Sequence, residues 1–281
     1  MNLENLHDHL PYLSYGFRTL TTEERMKLEH SLRLLQQMQH LDAVYFLGKL
    51  EGLEADYLLA FGCPSRDIFL GRKFFYSLNL TDWYQLLEPK DWCRDWDQME
   101  VPFQGDPAYK VLQDLGPKYA LNEDLVPVVE GERLILNVKE QNRLWFVMNS
   151  ILDEAVIVPR GVLYHTVEGQ SVINPFFHGI GINDSLKLHN YHHFRKPIGE
   201  PGKNLLKRDD CNYFLDVFDS ADDVIPKEHS FAVTRDPQRD VFMLKSLHWP
   251  GMTSFHRANS DVYGFFYFGD GRKNWDLLFK I

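Results

Sequence analysis

The chain reads as an α+β protein: an N-terminal helix, antiparallel strands with packed helices, and a C-terminal β-meander. Three observations give this class. Helical and strand-like periods follow one another without the strict alternation of a doubly wound α/β fold. One amphipathic helical stretch stands near the N-terminus. The last forty residues are dominated by apolar and aromatic runs broken by turn residues. The 281 residues are read as one domain, 1–281, with the turn-rich connector IGEPGK at 198–203 as the best internal boundary.

The first helix is expected over 22–41. Thr21 and Glu24 have the spacing of a capping box, in which each side chain accepts a main-chain N–H of the other, and Leu28, Leu32, Leu35 and Met38 repeat along one face. Two strand-like runs at 43–50 and 55–61, joined at Gly52, read as a hairpin, and 72–80 as a third strand. Thr81 then stands where it could cap a short helix carrying Trp83, Leu86 and Leu87. Pro89, Pro102, Pro107, Pro117 and Pro127 interrupt 88–130, which predicts long loops docked through Trp92 and Trp96. Helical period returns over 139–152. Strands at 155–158 and 162–165 flank Pro159-Arg160-Gly161, and Asn183 is placed to cap a helix through Leu186, Leu188 and Tyr191. The meander closes the chain with strands at 230–235, 241–247, 252–256 and 262–268. Because 263–268 is apolar at consecutive positions, both faces of that strand need cover, from the chain itself or from another subunit.

Composition narrows the function. A hydrophobic fraction of 44% with 14% aromatics belongs to a folded protein, and a net charge of −10 repels phosphate backbones and anionic lipid heads, so neither nucleic acid nor membrane is an expected partner. Cys63, Cys93 and Cys211 are odd in number and widely spaced, which suggests neither a disulfide framework nor a zinc site and fits a reducing compartment. The N-terminus lacks the basic flank and apolar stretch of a signal peptide, and the longest apolar runs fall far short of the roughly 20 residues that cross a bilayer. A cytoplasmic protein is expected.

Reactive constellations are sparse. His189 and His193 stand four apart, a spacing that would put two imidazoles on one helical face as a metal site can require, but no third ligand is set by spacing. Asp209, Asp210, Asp216, Asp219, Asp222 and Asp223 lack the order of a calcium loop and read as a solvated acidic face. The glycine pairs at 179–181 and 269–271, and the segment 199–203, read as turns, because none completes a phosphate-binding loop. No G-x-S-x-G occurs, and the thiols read as buried or incidental. No catalytic, metal or cofactor residue is assigned.

Longer motifs say more. Ala55-Asp56-Tyr57 with Gly62, RKFFYSLNLTDW at 72–83, Gly105-Asp106-Pro107-Ala108-Tyr109, Val158-Pro159-Arg160-Gly161, His193-Phe194-Arg195, SLHWPGMTSFH at 246–256 and DVYGFFYFGDGRKNWDL at 261–277 together resemble the radial spoke head protein 9 family. The matches are collinear from residue 41 onward and weakest over 88–130 and 196–220. The Trp-Pro-Gly corner and the Tyr-Gly and Gly-x-Gly elements also look like those of radial spoke head proteins 4 and 6, whose long acidic extensions this chain lacks. The resemblance implies a non-enzymatic structural subunit of the radial spoke head, in the cytoskeleton of the axoneme of motile cilia and flagella. It also implies pairing with head proteins of the 4 and 6 type and with other spoke head subunits, a meeting with the central pair apparatus indirectly or at the head surface, and relay of mechanical signals towards dyneins. Trp249, Pro250, Gly251, Tyr263, Gly264, Tyr267, Gly269 and Trp275 are the structural or interface candidates. The alternative is a cytosolic enzyme or metal-binding protein using His189 and His193.

Overall fold

The computed structural model describes residues 1–121, 127–198, 209–227 and 229–279. In chain order, a 3₁₀-rich N-terminal segment containing the single-turn helix α1 (Leu6–His9) leads into α2 (Thr22–Met38), then β1 (Ala43–Leu50), β2 (Tyr57–Cys63), β3 (Lys73–Ser77) and β4 (Tyr84–Leu86). A two-stranded ribbon, β5 (Lys110–Leu121) and β6 (Pro127–Lys139), runs directly into α3 (Glu140–Glu154). Short strands β7 (Ile157–Pro159), β8 (Leu163–His165), β9 (Ser171–Ile173) and β10 (Tyr191–His193) and the turn α4 (Tyr213–Asp216) precede the meander β11 (Phe231–Asp236), β12 (Val241–Ser246), β13 (Met252–Arg257) and β14 (Tyr263–Gly269). No helix among the described residues is long and apolar enough to cross a membrane.

The two meanders form one eight-stranded sheet in the order β11-β12-β13-β14-β1-β2-β3-β4. Every neighbouring pair is antiparallel except β1 and β14, which run parallel with Gly48 opposite Tyr267, Lys49 opposite Phe268 and Leu50 opposite Gly269. Gly48 makes that seam possible. The β1–β2 register shifts between Phe46 and Gly48, Gly48 has φ +141°, and a Cβ there would lie 2.0 Å from the Tyr267 carbonyl oxygen. Beyond the three paired residues the N-terminus fills the gap. Met1 nitrogen donates to the carbonyls of Phe46 (2.7 Å) and Phe265 (3.1 Å), Phe46 N–H donates back to Met1 (2.8 Å), and Asn2 bridges Tyr45.

Both faces of the sheet are covered by the chain itself. On one side Leu28, Leu32 and Leu35 of α2 join Leu3, Leu6, Leu10 and Leu13 over Phe46, Phe75, Phe255 and Phe266. On the other, Leu144, Val147, Met148 and Ile151 of α3 cover Tyr57, Leu59 and Trp249, while Tyr45, Phe61 and Phe265 stack as an aromatic layer against Phe194. Residues 265 to 268 therefore point alternately into two cores, which is why four consecutive large apolar side chains cause no exposure problem. Of the two sources of cover weighed for this strand, the chain itself supplies both faces.

Several expectations hold closely. The Thr21–Glu24 capping box forms with both hydrogen bonds, the hairpin and third strand stand where expected, and all four strands of the meander form. Others are corrected. Met38 ends the helix in solvent, 76% exposed, so the buried face stops at Leu35. Residues 84–86 form the edge strand β4 instead of a helix. Asn79 rather than Thr81 organises the turn, its side-chain oxygen accepting from the N–H groups of Thr81 (3.0 Å) and Asp82 (2.9 Å), and Leu86 then packs inward opposite Phe74. The loops foreseen over 88–130 hold only to about residue 109. Beyond it the ribbon forms, because Val111, Leu136 and Val138 alternate with exposed Leu112, Ile135 and Asn137. The candidate boundary at 198–203 lies outside the described residues except for Ile198.

The segment 103–106 is held to the sheet by Glu140, the first residue of α3, which is fully buried. Its carboxylate accepts from Tyr57 Oη (2.6 Å), Gln104 N (2.7 Å) and Gly105 N (2.8 Å). One turn on, Arg143 donates to the carbonyls of Val101 (2.5 Å) and Met99 (2.9 Å) and lies 4.3 Å from the Phe103 ring centroid, and burial lowers its pKa to about 10. Three donors converge on one carboxylate, so Glu140→Gln places an amide NH₂ against N–H groups. A loss of about 2–4 kcal/mol is expected, read as a lower urea midpoint with an unchanged slope.

Candidate interface

The C-terminal signature is mostly internal. Trp249 is buried, its Nε1 donates to Glu154 Oε2 (2.8 Å), its main-chain N–H donates to Ser246 Oγ (3.2 Å), and its carbonyl accepts from Met252 N–H (3.0 Å) to close the Trp-Pro-Gly corner. Gly251, at φ +98°, lets the corner lie on β14: a Cβ there would approach the Phe268 carbonyl oxygen to 2.1 Å. A Cβ on Gly264 would meet the Phe255 ring at 2.6 Å, and one on Gly269 the Pro250 carbonyl oxygen at 2.5 Å. Tyr267 is buried with its hydroxyl accepting from Gly271 N–H (2.7 Å), and Tyr263, half-buried, meets Phe177 edge-on. Of the eight candidates only Pro250, Gly251 and Trp275 are exposed.

Trp275 borders a groove of about 620 Å³ between α3, the 3₁₀ turn Arg94–Gln98 and the segment 273–275. Its indole donates to the Asp97 carbonyl (3.3 Å), and Lys273 Nζ lies 4.6 Å from its ring centroid while pairing with Asp97 (3.5 Å) and Glu154 (2.8 Å). Trp92, Ile198 and Ile225 form other parts of the rim, and Phe146, Asn149 and Asp153 of α3 form the floor. Burial raises the Asp97 and Asp153 carboxyls above the usual carboxylate range. Sequence reading missed this groove. Its signal is the i, i+3, i+7 set Phe146, Asn149 and Asp153, a partly polar stripe on a helix otherwise buried nearly all round.

The histidine and aspartate clusters resolve differently from expectation. Asn183 makes no side-chain cap. Residues 184–186 and 188–190 are single 3₁₀ turns and Tyr191 begins β10, so His189 and His193 do not share a helical face. His193 is buried and burial lowers its pKa to about 3. Among the described residues no three His, Cys, Asp or Glu side chains group as a metal site would require. The aspartates are not simply a solvated face either. Asp216 is buried and takes a bidentate pair from Arg160 (Nε–Oδ1 2.6 Å, Nη2–Oδ2 2.8 Å), with Asp210 on Nη1 at 2.8 Å, and Asp219 pairs with Arg195 at 2.5 Å. Both arginines sit in motifs singled out above, VPRG and HFR.

No family model matches the chain. Whole-length relatives do: it is 34% identical over 288 residues to a radial spoke head protein 9 homolog of Homo sapiens, 33% to that of Bos taurus and 32% to that of Mus musculus, each alignment covering 100% of both chains. The chain belongs to the radial spoke head protein 9 family. In this family member the 246–277 signature encodes the seam between the C-terminal meander and β1, and the two motif arginines staple the 209–223 segment to β7 and β10.

Trp249→Ala should cost about 3–5 kcal/mol, since it removes a buried indole and its hydrogen bond to Glu154, and Gly264→Val should destabilise through the Phe255 ring. Both are read by calorimetry, and unchanged melting would contradict the packing described. For Asp216, desolvation opposes ionisation but the Arg160 hydrogen bonds outweigh it, and its pKa is lowered. The sign follows: stability from this pair is complete above the ordinary Asp pKa of about 3.9 and is lost as pH falls through the lower folded value. Asp216→Asn should therefore be less stable than wild type at pH 7, and the gap should narrow in acid, as seen in urea melts at pH 7 and pH 3.

Proposed function

We propose that this chain is a non-enzymatic structural subunit of the radial spoke head, folded as one domain because strands from both ends complete a single sheet. The full-length correspondence with relatives named for the radial spoke head carries this reading. On this reading the protein stands in the axoneme of motile cilia and flagella, pairs with head proteins of the 4 and 6 type, faces the central pair directly or through them, and supports spoke assembly and relay of mechanical signals to the dyneins. The residues agree with a scaffold. The buried ionisable groups Glu140, Arg143, Arg160 and Asp216 are engaged in holding loops, and Cys63 is buried with its thiol pKa raised to about 11 by desolvation, far from an activated nucleophile.

Affinity purification of the tagged chain from axonemes should recover spoke head proteins, and loss of the gene should leave spokes without complete heads in tomograms. Intact heads after gene loss, with no spoke protein recovered, would sink the reading.

A further inference from the structure

Building on the spoke-head reading, we propose that the outer face of the β5–β6 ribbon docks an acidic segment of another spoke head subunit, its carboxylates reaching Lys110 and Lys139 and its apolar side chains lying on Leu112 and Ile135. The ladder register puts the two lysines directly opposite each other, with Leu112 opposite Asn137 and Asp114 opposite Ile135 further along the same face. Like charges so placed destabilise a ladder. Among the described residues neither ammonium has a carboxylate within salt-bridge distance, although the chain carries 40 acids against 30 lysines and arginines. The acids nearest in sequence are turned to other donors: Asp106 accepts from Ala108 N–H (2.9 Å), Asp114 from Gly116 N–H (2.8 Å), and Glu140 from Tyr57, Gln104 and Gly105. A doubled positive charge is therefore left at the surface, and a carboxylate set between the two ammoniums relieves their repulsion while pairing with both.

The same face supplies apolar contact. Among the described residues the ribbon pairs with no other strand, and Leu112 and Ile135, diagonal neighbours across it, are 68% and 57% exposed. Its inner face is fixed. Val111, Leu136 and Val138 are buried in one core with Leu144 and Val147 of α3, and Glu140 N–H donates to the Tyr109 carbonyl (2.8 Å) at the base, so the outer face is held in place before anything binds and loses little freedom when it does. A nucleic acid or anionic lipid surface is a poorer match, because the whole chain at −10 repels it, whereas a short acidic segment meets the lysines within a Debye length. A rival apolar stripe, Met26, Leu34 and Met38 on the outer side of α2, lacks a charge that selects an occupant: Lys27 and Arg33 already pair with Glu23 and Glu29 one turn earlier. It serves as a control.

The test uses the full chain assembled into spoke heads. A photo-crosslinking residue replaces Leu112, or Leu34 as control, and adducts are mapped by mass spectrometry. Position 112 should capture a segment of a different spoke head subunit with acidic residues beside the adduct, and position 34 should give no such adduct. Lys110→Gln combined with Lys139→Gln should weaken binding to spoke heads depleted of this chain about tenfold and flatten its salt dependence. The melting temperature of the double variant should stay unchanged or rise, since a repulsion within the ladder is removed; a purely structural role for the lysines would lower it instead. An adduct to a second copy of this chain, an adduct to a segment without acidic residues, the same adduct from position 34, or wild-type affinity in the double variant would overturn the proposal. Incorporation into heads through another surface defeats only the ribbon assignment, whereas failure to incorporate at all defeats the spoke-head reading itself.

Discussion

The parallel pairing of β1 with β14 is the constraint on which the rest of the fold depends. Each meander alone is a four-stranded sheet with one long apolar edge, and three residue pairs at Gly48–Leu50 join them into a surface wide enough for α2 on one side and α3 on the other. A side chain at residue 48 would collide with the Tyr267 carbonyl, so the junction tolerates only glycine. The N-terminal residues then fill the wedge that opens where the two strands diverge, and both ends of the chain are committed to the same seam.

That geometry explains why the 246–277 stretch is largely hidden from solvent. Trp249, Gly251, Gly264, Tyr267 and Gly269 shape the approach of backbone to backbone and ring to ring. The exposed apolar surface falls to residues around them, such as Trp275 at the groove and the isoleucines across from it.

Much of this was legible in the sequence, for local reasons. Thr21 and Glu24 state the start of α2 through a side-chain exchange confined to four residues, and the meander is written in alternating apolar positions between turn residues. Failures arose where distant residues decided the outcome. Asn79 competed with Thr81 for the turn, the 110–139 ribbon was obscured by proline spacing, and the 183–191 region became single turns because Tyr191 to His193 pair with Ile157 to Pro159. The groove illustrates the same limit: Trp92 and Trp275 lie far apart in sequence, and only the fold sets them around Asp153. Likewise Asp216 reads as one more acid in an acidic stretch until Arg160 is seen beside it.

The seam also has a history during synthesis. About 220 residues separate Gly48 from Tyr267, so a ribosome adding roughly 5–20 residues per second needs roughly 10–45 s after making β1 before its neighbour exists. Throughout that interval an apolar strand edge stays without its permanent partner, in a topology whose long-range contacts already make folding slow. A nascent chain of this kind keeps that edge open until its last strand emerges, and any premature stop before β14 leaves a polypeptide with an open edge that can recruit other chains.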